Sequence, residues 1–106
     1  MAGPGVNDLL AWFDRESDGA PAPLRERALG YLASGPPGGD VPEALAAAAT
    51  RALATTLAHP GGRGAALDLL AADALVTLAL KAKAASDPAA LGQFAERLRL
   101  AGAGPS

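Results

Sequence analysis

The chain reads as an all-α protein: a single-domain bundle of about five helices, with the third and fourth forming a central antiparallel hairpin. Three observations predict this. The hydrophobic share is 50%, but it is dominated by alanine and leucine and poor in β-branched residues, which favours helices over a sheet. The 13 glycines and 9 prolines gather at a few points, where they stop helices instead of loosening the whole chain. Between those stops, apolar residues recur at helical spacing. With 106 residues, residues 1–106 hold one core and are too few for two ordinary domains.

The first helix is expected over about Asn7 to Asp14. Val6, Leu9, Leu10 and Phe13 form one apolar stripe, Trp12 lies beside it, and Asn7 or Asp8 suits the start. The second starts near Pro23, whose fixed φ fits a first helical turn, and buries Leu24, Ala28, Tyr31 and Leu32. The run SGPPGG at 34–39 ends it. The third has the clearest start: Asp40 as cap, Pro42 in the first turn, and Glu43 placed to reach back as in a capping box. Leu45, Ala49, Leu53 and Leu57 make its inner stripe, and HPGG closes it.

The fourth helix, about Gly64 to Ala85, is the longest and most apolar. Leu67, Leu69, Leu75, Val76, Leu78 and Leu80 spread over more than half of its circumference, the pattern of a helix touched on several sides. The fifth opens at SDP, with Asp87 as cap and Pro88 in the first turn, and buries Leu91, Phe94, Ala95 and Leu98. Residues 1–5 and 101–106 are expected to be frayed tails.

Charge and composition narrow the function classes. Residues 1–50 carry three arginines against seven carboxylates, a balance of −4, and residues 51–106 carry six cations against four carboxylates, a balance of +2. The two halves can attract each other within one fold or between subunits. Neither is basic enough for a nucleic-acid footprint. The apolar run ALVTLAL at 74–80 is too short to span a bilayer, and the amino terminus lacks a signal-peptide layout, so a cytoplasmic protein is the expectation. Without cysteine there are no disulfides or thiolate metal sites.

Two local motifs carry possible chemistry. Asp14, Glu16, Asp18 and Gly19 occupy the first, third, fifth and sixth positions of a calcium loop, where oxygen donors converge on a hard cation and glycine makes the sharp turn. To that extent the stretch resembles an EF-hand loop, which implies calcium as a ligand. It departs from that pattern at the twelfth position, Arg25 instead of a bidentate glutamate, and at the eighth, Pro21. The ordinary reading is an acidic link between two helices. In HPGGRG, the residues Gly61, Gly62, Arg63 and Gly64 could present backbone N–H groups and a guanidinium to an anion, but the Lys-Ser/Thr ending of a phosphate loop is missing. The ordinary reading there is a helix–helix turn. Asp68 falls in the apolar arc of the fourth helix, near its start, where capping or partial exposure is expected.

No nucleophile–base arrangement is recognisable, and His59 is the single histidine. The leading expectation is therefore a non-catalytic interaction domain. It would self-associate or dock a protein partner through apolar surface on the third and fourth helices, with Leu53, Leu57, Leu70, Val76 and Leu80 as the contact residues. No cofactor is expected, nor a nucleic-acid or membrane partner. The alternative is a metal- or anion-responsive domain using the two motifs. Third comes an enzyme with a site between helices, built on Asp68, Arg51 or His59.

Overall fold

A computed structural model describes residues 6–35 and 40–103, with side chains described from Leu9 to Ala101 within those limits. The elements are α1 (Val6–Glu16), α2 (Ala22–Ala33), α3 (Val41–Ala58), α4 (Gly62–Ser86) and α5 (Leu91–Ala103), the last preceded by a short 3₁₀ turn, Pro88–Ala90. The all-helical bundle is as the sequence predicts, and α3 and α4 make its dominant, antiparallel pair.

Alanine explains how that pair is built. Ala48, Ala49 and Ala52 of α3 meet Ala71, Ala72, Ala79 and Ala82 of α4, all of them buried, with Leu45 and Leu75 as the large side chains in the seam. Small residues on both faces let the helix axes approach towards the lower end of the usual range, about 8 Å. Burying little area per residue, such a seam depends on close packing. Phe13 from α1, Leu32 from α2 and Phe94 from α5 close the core around it.

The helix ends show where local signals succeeded. The Asp40 side chain accepts from the Glu43 backbone N–H at 3.0 Å, the N-cap expected of α3. The return half of the capping box is not made: the Glu43 carboxylate pairs instead with Arg97 of α5 at 3.3 Å. At the α3–α4 turn His59 is the C-cap, and Gly61 takes φ +91°, a conformation open to glycine and costly for other residues. Asp87 makes no side-chain cap bond, because Pro88 opens a 3₁₀ turn and the α-helix begins only at Leu91. Residues 101–103, expected to fray, continue α5. Residues 1–5 and 104–106, the rest of the expected tails, lie outside the described residues.

α2 and α5 occupy opposite flanks of the hairpin. On one flank, Arg51 of α3 and Asp68 of α4 both reach Tyr31 of α2. On the other, Ala46, Ala47 and Thr50 of α3 face Phe94, Arg97 and Leu98 of α5. α1 lies along α2 at the edge of the bundle.

Candidate functional site

The acidic stretch adopts a geometry different from a calcium loop. α1 runs on to Glu16, so Asp14 and Glu16 are helical and project about 200° apart around the axis. Each has its own cation. Asp14 Oδ1 accepts from Arg25 Nη2 at 2.5 Å, and Glu16 Oε1 lies 2.6 Å from Lys81 Nζ of α4. Arg25, the residue at the loop's twelfth position, thus pairs with the residue at its first and also donates from Nε to Ser17 Oγ at 3.2 Å. Asp18 is exposed in the following turn. Among the described residues no three His, Asp or Glu side chains gather into a group able to hold a metal ion.

In the glycine-rich turn, Gly61, Gly62, Arg63 and Gly64 are all exposed. A Cβ added at any of the three glycines would meet nothing within 4 Å, so the turn stands in open space. The turn connects α3 to the first turn of α4, with Gly62 at φ +82°.

Asp68 departs from expectation. It is 6% exposed, neither capping nor partly open, because α4 begins at Gly62 and places Asp68 beyond the first turn, facing α2. Its Oδ1 accepts from Arg27 Nη1 at 3.1 Å and from the Tyr31 hydroxyl at 3.0 Å. Burying a carboxylate is costly unless charge and hydrogen bonds compensate, and α2 supplies both. Arg51 Nη2 donates at 2.6 Å to the Tyr31 carbonyl, which also accepts from the Ser34 hydroxyl at 3.1 Å, in the last turn of α2 where a cation suits the helix dipole. The guanidinium comes so close to Gly35 that a Cβ there would sit 2.7 Å from Nη2. Arg51 Nε is buried with no hydrogen-bond partner among the described residues.

Two of the residues considered for catalysis, Asp68 and Arg51, therefore converge on Tyr31, while His59 stands exposed at the end of α3. Tyr31 and Arg27 were the residues sequence reasoning missed. The signal was present: a lone carboxylate in an apolar arc needs donors, and Arg27 and Tyr31 stand four apart on one face of α2. The depression beside them, lined by Glu26, Arg27, Tyr31 and Ser34, is shallow and open. Glu96 and Arg99 shift each other from their ordinary values. Their mutual hydrogen bonds lower the carboxyl and raise the guanidinium, against a smaller desolvation effect, and both are fully exposed on α5.

The apolar residues expected at an interface fall in two places. Leu53 of α3 and Val76 of α4 line one groove together with Leu69, Ala49, Ala72 and Leu98. Leu57, one turn beyond Leu53, is 66% exposed, and Leu69 is 51% exposed. Leu80 lies one turn along α4 from Val76 and is half-buried. Leu70, at 55% exposure, stands about 100° round the helix from Leu69 and turns away from that groove.

Opposed charge between the chain's halves is used within the fold. Of the five ion pairs among the described residues, Lys81–Glu16 and Arg97–Glu43 set a carboxylate of the acidic half against a cation of the basic one, while Arg27–Asp68 joins the halves in the opposite sense. No described helix is long and apolar enough to cross a membrane. No family model, no curated protein and no solved structure matches the chain.

Proposed function

We propose that the chain is a non-catalytic helical interaction domain that uses the α5-side flank of the α3–α4 hairpin. One observation carries this reading: α5 covers only part of that flank, leaving Leu57 and Leu69 exposed beside the groove between Leu53 and Val76. Exposed leucines next to an apolar groove are characteristic of association surfaces.

A second copy of the chain is the occupant that fits first. Protruding leucines and a groove on the same flank are self-complementary across a two-fold axis, each copy's leucines entering the other's groove. Alanine and threonine at Ala54 and Thr50 let an incoming helix lie close. A protein partner presenting an apolar helix face would use the same contacts. Sedimentation velocity across a wide concentration range tests self-association. A reversible monomer–dimer equilibrium is the expected result, and a monomer at every concentration would overturn it.

A further inference from the structure

We infer that α1 is a hinged cover, clasped by ion pairs, that opens while α2–α5 stay folded. Four features place it. Among the described side chains of α1, Phe13 alone is fully buried, at 3% exposure, whereas Leu9, Leu10 and Trp12 are half-buried. Its seam with α2 is incompletely packed: a groove of about 400 Å³ runs along it, lined by Leu10, Phe13, Ala22 and Leu29. Its carboxyl end is held by two clasps, Asp14 to Arg25 of α2 and Glu16 to Lys81 of α4. The turn that joins it to α2 contains Gly19 at φ +90°, a natural pivot.

These features set α1 apart from the hairpin. Segments with few buried apolar contacts open at lower free energy than the core, in cooperative units. Charge pairs near the surface are screened by salt. Opening withdraws Phe13 from its slot, the one deeply buried contact among the described side chains of α1, and takes it from the groove it shares with Leu29, which is already exposed. The cover is independent of the association flank, which lies on the other side of the hairpin and shares none of these residues.

Native-state hydrogen exchange on the whole chain tests this. Detached from the bundle, an 11-residue helix is marginal in water. The amides of residues 10–16 are therefore expected to exchange through a partial opening whose denaturant dependence is weaker than that of global unfolding, well before those of residues 48–52. Lys81→Glu, which sets a carboxylate against Glu16, should speed α1 exchange by roughly two- to fivefold, the range for an exposed or half-exposed pair. Adding Glu16→Lys in the same chain should reverse the change, with the α3 amides remaining the slowest in every variant as proof of fold. The inference is overturned if the α1 amides share the protection and denaturant dependence of α3. It is equally overturned if the charge exchange fails to restore the rate.

Discussion

Asp68 joins α4 to α2 through two side-chain hydrogen bonds, and its replacement has a calculable cost. In Asp68→Ala, two hydrogen bonds to an ionised carboxylate are lost, those from the Tyr31 hydroxyl and Arg27. Bonds to charged groups contribute about 1.5–3 kcal/mol each when buried. The Arg27 side chain is 41% exposed, so it recovers water when its partner goes, and its share falls to the surface value of ~0.5 kcal/mol. Removing the carboxylate also relieves its desolvation. The net expectation is a loss of about 2 kcal/mol for Asp68→Ala and about 1 kcal/mol for Asp68→Asn, which keeps an acceptor for Tyr31. Urea unfolding followed by circular dichroism reads this as a midpoint lowered by about 0.7–2 M for Asp68→Ala, given urea slopes of about 1–3 kcal/mol/M for small proteins. Trp12 fluorescence is the wrong probe, because it follows the opening of α1. A double-mutant cycle with Tyr31→Phe should give a coupling of about 1 kcal/mol. Losses below ~0.5 kcal/mol for both Asp68 variants, the size of an ordinary surface change, would refute the reasoning.

Three other outcomes are expected. Asp40→Ala removes the bond to the Glu43 N–H and should destabilise by about 1 kcal/mol in the same unfolding assay, with Asp40→Ser largely restoring it. Ala79→Leu forces a larger side chain into the sealed α3–α4 seam and should cost about 1–3 kcal/mol, seen as a lower thermal midpoint, whereas Ala33→Leu at the exposed end of α2 should be near neutral. Calcium added to saturation should leave Trp12 fluorescence unchanged, with magnesium as control, because Asp14 and Glu16 point apart and each has a cation. A saturable, calcium-selective change would mean that the end of α1 unwinds to bring them together.

Helix positions were legible because punctuation and periodicity agree in this chain. Asp40 with Pro42 and Glu43, and the glycines after His59, set the ends of α3 locally, without help from distant residues. Features created by tertiary partners were less readable. Asp68 looks like an acid capping or partly exposed near the start of α4 until α2 brings Arg27 and Tyr31 against it. Glu43 fits a capping box until Arg97 offers a cation. The acidic run from Asp14 matches a loop pattern only while its helix is taken to stop at Asp14. α1 continues to Glu16, and the periodicity alone could not place that end. The apolar arc of α4 announced surplus surface, but which leucines remain uncovered depends on how far α5 reaches. Leu69 joins the groove, and Leu70, its neighbour in sequence, faces elsewhere.

Sedimentation equilibrium of the wild type beside a Leu57→Gln, Leu69→Gln double variant tests the central claim most directly, since both side chains are already exposed and their replacement spares the core. The account predicts a reversible dimer for the wild type and a monomer of unchanged helicity for the variant. A variant that associates as strongly as the wild type would contradict it, as would a wild type that stays monomeric throughout.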